Sequence, residues 1–243
     1  SEGQPYGVIV GKKLNRTEAG EVIYENGLPT FDDKVSVLGN GNYDFTLGFR
    51  NAFSYKNLSM SVLVDMKFGA DVYSMSKMQS HVNGTSKETL EGREGWYASE
   101  QARLSANVDA KDWTPTGGYV GKGVKAVTDA DGNVSYVPND VYVDPAKYWQ
   151  ALQNSSPEPF ICDNSFVKLR EVSLSYSCPK KWFVHTPIES VTLSAYGRNL
   201  LLIYSKVDNI DPESSYNNGN GQGFEYGSLP SRRTFGFGIN VKF

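Results

Sequence analysis

Apolar residues recur at every second position of this chain over stretches longer than an ordinary strand requires. In YDFTLGFRNAFSY, Phe45, Leu47, Phe49, Phe53 and Tyr55 share one side, interrupted only by Asn51, while Asp44, Thr46, Gly48, Arg50, Ala52 and Ser54 share the other. A short turn at Lys56 and Asn57 leads into LSMSVLVDMKF. There Leu58, Met60, Val62, Val64, Met66 and Phe68 oppose Ser59, Ser61, Asp65 and Lys67, with Leu63 the one exception. The closing run TFGFGINVKF sets Phe235, Phe237, Ile239, Val241 and Phe243 against Thr234, Gly236, Gly238, Asn240 and Lys242. Side chains alternate across a strand with period two, so each run offers one apolar and one polar face. The runs at 44–55, 58–68 and 233–243 are each about 11 residues, the span of a tilted strand crossing hydrocarbon. Strands of soluble domains average nearer about 5–6 residues.

Further strands follow from weaker versions of the pattern. In EVSLSYSC, Val172, Leu174, Tyr176 and Cys178 oppose Glu171, Ser173, Ser175 and Ser177, but Val167 and Leu169 just upstream are out of phase, which predicts a bulge near Arg170. SVTLSAYGRNLLLIY alternates through Val191, Leu193 and Ala195 and loses its pattern at Gly197, Arg198 and Asn199; YGVIVGKKL completes a set of six. The connections are uneven. The links at Lys56–Asn57 and around Pro179 to Glu189 are short, whereas about Asn15 to Asn42, Gly69 to Ser165 and Ser205 to Arg232 are long polar excursions. A compact soluble domain rarely inserts a hundred residues between neighbouring strands. A transmembrane β-barrel does so routinely, with tight periplasmic turns and long extracellular loops. Phe45, Tyr55, Phe68, Tyr176, Tyr204 and Phe243 fall near strand ends, as interfacial aromatic girdles require. The expected class is therefore all-β: an antiparallel transmembrane barrel segment of about six strands, its long loops containing short helices. A soluble β-rich carbohydrate-binding or adhesin module would also alternate; native protein in the aqueous phase without detergent would mark it.

Composition removes other classes. A net charge of −3 and 21% charged residues argue against disorder and against a nucleic-acid partner. No run of about 18 apolar residues exists to form a spanning helix. SEGQPYGVIV has neither a basic n-region nor an apolar h-region, so it is not read as a signal peptide, and the chain is expected to be a piece of something longer. Cys162 and Cys178 flank a strand-like run that holds them too far apart for a disulfide, so both are read as free thiols. His81 and His185 lack ligand-spaced partners, and no metal or other cofactor is expected.

Several motifs have plain explanations. TDADGNV, from Thr128 to Val134, lacks the further acidic positions of a calcium loop and reads as an Asp-Gly hairpin tip. NNGNGQG, from Asn217 to Gly223, has no following helix or Lys-Ser/Thr and reads as a loop tip. NIDPE, from Asn209 to Glu213, reads as a Pro-stabilised turn. Five Asn-x-Ser/Thr sequons, starting at Asn15, Asn57, Asn83, Asn133 and Asn154, would be coincidental in a bacterial outer-membrane protein. Nothing resembles a nucleophile elbow or a paired-carboxylate site, so the chain is not read as an enzyme. SKETLEGREGWYASEQARLS has helical character, with Glu88, Glu91, Arg93 and Glu94 solvated around Leu90 and Trp96. Trp96, Tyr97, Trp113, Tyr119, Tyr148 and Trp149 are the candidates for ligand or partner contact, because such rings stack on sugars or bury against a partner while keeping a polar handle. Packing of the loop itself is the simpler role for any one of them.

The ending YGSLPSRRTFGFGINVKF resembles the C-terminus of the SusC-like (SusC/RagA), TonB-linked outer-membrane transporters of Bacteroidota. So do SFVKLREVSLSYSCPKKW, VTLSAYGRNLLLIY, NIDPESS and VLGNGNYDFTLGFRNAFSYKNLSMSVLVDMKFGADVYS, in order and over nearly the whole chain. The resemblance implies that residues 1–243 are the C-terminal portion of a barrel of about 22 strands with a plugged lumen, without the plug or N-terminal domains. It implies import of a nutrient glycan or peptide across the cell outer membrane. The partners it implies are a SusD-like surface lipoprotein, the rest of the barrel and plug, membrane lipid, and the TonB complex acting through the missing N-terminal part. In this family the terminal aromatic strand is the assembly signal, a role that falls on Phe243 and, less directly, Phe237 and Phe235. Lipid should then meet Phe45, Leu47, Phe49, Leu58, Met60, Val62, Val64, Phe235, Phe237 and Ile239. Thr46, Arg50, Ser59, Ser61, Asp65, Asn240 and Lys242 should face the lumen.

Overall fold

In the computed structural model, which describes residues 3–214, 219 and 221–243, the period-two runs become one antiparallel sheet. In chain order the first strands are β1 (Val8–Leu14), β2 (Ile23–Glu25), β3 (Leu28–Pro29), β4 (Phe31–Asn40), β5 (Phe45–Tyr55), β6 (Leu58–Phe68) and β7 (Asp71–Ser74). Helices α1 (Met75–Val82) and α2 (Arg93–Ser105) follow, then β8 (Val124–Thr128), β9 (Val134–Pro138) and α3 (Pro145–Ser155). The remaining strands are β10 (Ile161–Asp163), β11 (Phe166–Ser177), β12 (Ser190–Ser205), β13 (Phe224–Glu225) and β14 (Thr234–Lys242). The chain divides into two compact units, one comprising Ser1–Gly39, Tyr73–Ile161 and Phe224–Gly227, the other Asn40–Val72, Cys162–Gly223 and Ser228–Phe243.

The second unit is built on a five-stranded sheet in the order β14-β12-β11-β6-β5. Its register carries each apolar face into the next. Tyr55, Leu58, Tyr176, Leu193 and Ile239 form one cross-strand row, and Phe53, Met60, Leu174, Ala195 and Phe237 form the row beside it. The opposite face continues just as far: Ser54, Ser59, Ser175, Ser194 and Gly238 are in line, beside Ala52, Ser61, Ser173, Tyr196 and Gly236. All residues assigned from the sequence to one side thus share a face. At Gly236 a Cβ would run into the ring of Tyr196 directly opposite, so the ring lies over the glycine. The bulge expected near Arg170 is present as a register shift between Leu169 and Glu171 in both pairings of β11. It reconciles Val167 and Leu169 with Val172 and Leu174, placing all of them on the apolar face.

The two ends of this sheet differ. At one end lies the Lys56–Asn57 turn, with Lys56 in the left-handed region at φ 52°. Asn57 ties that turn to β11, its Nδ2 donating to the Ser177 carbonyl at 2.7 Å. Glu189 and Lys242 meet at the same end, N to O at 2.7 Å and as an ion pair at 3.0 Å. At the other end Phe45 stacks on Phe68 with centroids 5.2 Å apart, and there the long excursions after β6 and β12 leave the sheet. Among the described residues β5 and β14 each pair on one side only.

The first unit is the folded content of the excursions. Its core joins Tyr24, Met78, Tyr119, Tyr148, Leu152 and Phe160, each apolar body contributing about 1.5–3 kcal/mol on burial. The stretch expected as a polar excursion from Asn15 to Asn42 contains a ten-residue strand, β4, which pairs with β1 in a separate two-stranded sheet. Thus β1, counted in the sequence among six wall strands, lies outside the five-stranded sheet. TDADGNV is the tip of the β8–β9 hairpin, where the Asp129 carboxylate accepts from the backbone of Asp131 and Asn133 at 2.9 and 2.8 Å. Of the loop tip expected at Asn217 to Gly223, residues 217, 218 and 220 lie outside the described residues.

Candidate ligand-contact site

Two arrangements in this chain place functional groups together, one in each unit. The first is a cavity of about 540 Å³ walled by α1, α2 and the start of α3. Local sequence sets each helix. Ser74 caps α1, its hydroxyl accepting from Lys77 N at 3.0 Å and donating to the buried Glu225 carboxylate at 2.8 Å. Asp144 caps α3, accepting from Ala146 N at 2.9 Å, with Pro145 as first helical residue. Arg93 starts α2 and is held there by the Thr89 and Gly84 carbonyls at 2.6 and 2.5 Å.

Trp96, Tyr97 and Trp149 line this cavity with His81, Asn83, Asp144 and others. The indole N–H of Trp149 is buried with no acceptor among the described residues, an omission worth about 1–3 kcal/mol. His81 is a buried part of this wall, 4.4 Å from the Trp149 ring between centroids. Its Nδ1 meets the Lys77 carbonyl and its Nε2 the Glu88 carboxylate, each at 2.7 Å. The hydrogen bond with His81 holds the Glu88 carboxyl below its ordinary range.

The other sequence candidates lie elsewhere. Tyr119 and Tyr148 are in the core, rings 4.4 Å apart, with the Tyr148 hydroxyl 3.3 Å from that of Tyr24. Burial pushes both hydroxyls above the phenol range. Trp113 donates from Nε1 to Ser99 Oγ at 3.1 Å, which pins the chain after α2 to that helix. Leu90, expected to anchor the helical stretch, is 59% exposed; Thr89 is buried in its place because Lys87–Leu90 forms a 3₁₀ turn.

The second arrangement, which the sequence reading missed, is an ion network on the polar face of the sheet. Lys168 is 4% exposed and donates to Glu213 at 2.7 Å, Ser231 at 2.9 Å and Asp211 at 3.2 Å. Arg170, at the bulge, donates to both oxygens of Glu213, to Asp65 at 2.6 Å and to Asn199 Oδ1 at 2.8 Å. NIDPE is the expected turn, with Ser214 N bonded to the Asp211 carbonyl at 2.8 Å, but its acidic residues also tie the excursion to the wall. Burial pushes the Glu213 carboxyl up, and the hydrogen bonds from Arg170 and Lys168 outweigh it, leaving the group below its ordinary range.

The polar side of the sheet is thus charged and hydrogen-bonded, whereas the apolar side is bare. Phe235, Phe237 and Ile239 are 66, 86 and 73% exposed, and contiguous exposed apolar faces mark contact with a membrane or a partner.

Comparisons with known proteins agree with this geometry. No family model matches the chain. TonB-dependent receptor P3 of Formosa agariphila is 27% identical over 222 residues, 89% of this chain and 18% of the receptor. TonB-dependent receptor P26 of the same organism is 29% identical over 240 residues, 97% of this chain and 20% of the receptor. Among solved structures, the RagAB peptide importer in its closed-closed and open-open states matches 97% of this chain with TM-scores of 0.54 and 0.55 at 14 and 15% identity, using 23 and 22% of the importer chain. The chain therefore spans about a fifth of the length of the receptors it matches. Sequence and fold together show a resemblance to TonB-dependent receptors over nearly the whole of this chain.

Proposed function

We propose that this chain is the C-terminal barrel portion of a TonB-dependent outer-membrane transporter, a barrel of about 22 strands. The observation that carries the reading is the single apolar face that continues in register across five antiparallel strands, interrupted at Asn51 and Gly197, backed by a polar face with its own ion network. A sheet with one bare apolar and one polar side suits lipid outside and a hydrated lumen inside. The unpaired sides of β5 and β14 then meet neighbouring strands of the same barrel, which removes both edges.

On this reading the tight-turn end is periplasmic and the excursions after β6 and β12 are extracellular. Trp96, Tyr97 and Trp149 are the residues of the sequence set placed to touch a nutrient or a SusD-like lipoprotein. The nutrient is a glycan or a peptide, and the similarity to a peptide importer supports the second of these. Phe243, Phe237 and Phe235 act as the assembly signal, which requires Phe243 to be the receptor's last residue. The plug and the TonB contact belong to the remainder of the receptor.

The test is a gene deletion in the native bacterium, complemented with the whole receptor. Outer-membrane recovery and restored uptake of one oligosaccharide or peptide source support the proposal. Recovery of the receptor in the aqueous fraction without detergent rules it out.

A further inference from the structure

The tight-turn end of the five-stranded sheet carries positive charge that no neighbouring carboxylate neutralises. Ser177 N donates to the Asn57 carbonyl at 2.8 Å and Asn57 Nδ2 to the Ser177 carbonyl at 2.7 Å, which sets the Lys56–Asn57 turn beside the start of the link from β11 to β12. That link is CPKKWFVHTPIE, residues 178–189. It is folded: Trp182 N donates to the Pro179 carbonyl at 3.0 Å, Phe183 N to that of Lys180 at 3.0 Å and Thr186 N to that of Phe183 at 2.9 Å. Glu189 is the only acid in the turn and the link, and it is paired with Lys242 at 3.0 Å. Lys56, Lys180 and Lys181 are left without a carboxylate among the described residues. Lys56 Nζ lies 5.2 Å from the centre of the Tyr55 ring instead.

Apolar side chains stand among these charges. Trp182 and Val184 are 59 and 70% exposed, and Tyr55 is exposed as well. Tyr55 also opens the outermost row of the apolar face that spans all five strands, with Leu58, Tyr176, Leu193 and Ile239. The basic rim is therefore continuous with that face. A soluble acidic partner would neutralise the lysines and leave the apolar row beside them bare. Lipid meets both, with tails over the row, aromatic rings at headgroup level and ammonium groups reaching phosphate.

We infer that this rim binds the headgroups of anionic phospholipids in the leaflet it borders, Lys180 and Lys181 supplying the charge and Trp182 the interfacial anchor. The inference rests on the reading of the sheet as a membrane wall and goes beyond it, since a barrel can sit in a bilayer without choosing among headgroups.

The experiment uses the whole receptor in phosphatidylcholine vesicles, with a dye on Val184→Cys as its single reactive cysteine. Quenching of the dye is compared for phosphatidylglycerol and phosphatidylcholine, each carrying a nitroxide near the top of one acyl chain, at equal mole fraction. Phosphatidylglycerol should quench about threefold to fivefold more effectively, and the excess should shrink as salt rises. It should vanish in Lys180→Gln/Lys181→Gln and persist in Lys180→Arg/Lys181→Arg, which keeps the charge. Equal quenching by the two lipids, quenching by neither, or an excess that survives the glutamine pair or is lost in the arginine pair overturns the inference. Loss of the excess on adding inorganic phosphate at matched ionic strength would assign the lysines to free phosphate and overturn it too. The membrane-wall reading is judged separately, by the two-residue period of lipid access along β5, and stands if only the headgroup preference fails.

Discussion

Arg170 and Glu213 are joined by two parallel hydrogen bonds, Nη1 to Oε2 at 2.8 Å and Nη2 to Oε1 at 2.6 Å, across 43 residues of chain. Glu213 also takes the Lys168 ammonium at 2.7 Å, so one carboxylate serves two cations on the polar face of β11. Paired forks of this kind set geometry as well as energy.

Replacing Glu213 by Ala leaves Arg170 with Asp65 as its one carboxylate beside Asn199, and strips Lys168 of its nearest carboxylate. The expected destabilisation is about 3 kcal/mol, the lower end for breaking a buried pair. Hydrogen exchange should rise in residues 206–214 and 228–233 while β5 and β6 stay protected. Equal protection in the variant would reduce the pair to a decoration.

Facing can be tested by charge. Val62 lies on the apolar face and Ser61 on the polar one. Val62→Arg should cost about 2–4 kcal/mol in a bilayer if it lies near mid-membrane, and Ser61→Arg much less. The readout is the denaturant midpoint of the folded receptor in vesicles. The reverse order of the two effects would invert the assignment.

Glu88 gives a pH signature in the first unit. Its native carboxyl titrates below its ordinary value of 4.5 because it accepts from His81. Its contribution is therefore complete above about pH 4.5 and is lost as pH falls through the lower native value. Hydrogen exchange across residues 87–105 should accelerate in that acid window, and Glu88→Gln should flatten the response. Persistence of the same acid response in Glu88→Gln would assign it to other carboxylates.

Phe243 lies beyond β14 and is 76% exposed, so deleting it removes little packing. If it is an assembly signal, the deletion should lower the receptor's abundance in the outer membrane several-fold while inserted molecules melt normally. Normal abundance would end that role.

The parts of this fold legible in the sequence are those where one physical signal acts alone. Strands β5, β6 and β14 stand out because each residue's polarity follows its face, and the phase slip at Arg170 marked the bulge for the same reason. β4 escaped because Asp32, Asp33 and Lys34 interrupt its alternation. The candidate site was legible as a set of aromatic residues but not as a shape. Whether Tyr148 reaches solvent or meets Tyr24, 124 residues away, depends on contacts that no local pattern encodes. Lys168 and Arg170 were hidden likewise, since their partners Asp211 and Glu213 sit in a turn with an ordinary local explanation.

The central claim, that the five-stranded sheet is a membrane wall, is tested most directly by a spin-label scan along β5. Cys162 and Cys178 are first replaced by Ser in the whole receptor, and single cysteines are then labelled at each position from 45 to 55 in lipid bilayers. Labels at 45, 47, 49, 53 and 55 should collide preferentially with oxygen, and those at 46, 48, 50, 52 and 54 with a water-soluble nickel chelate, giving a two-residue period. Equal access to the nickel chelate on both faces would contradict the account.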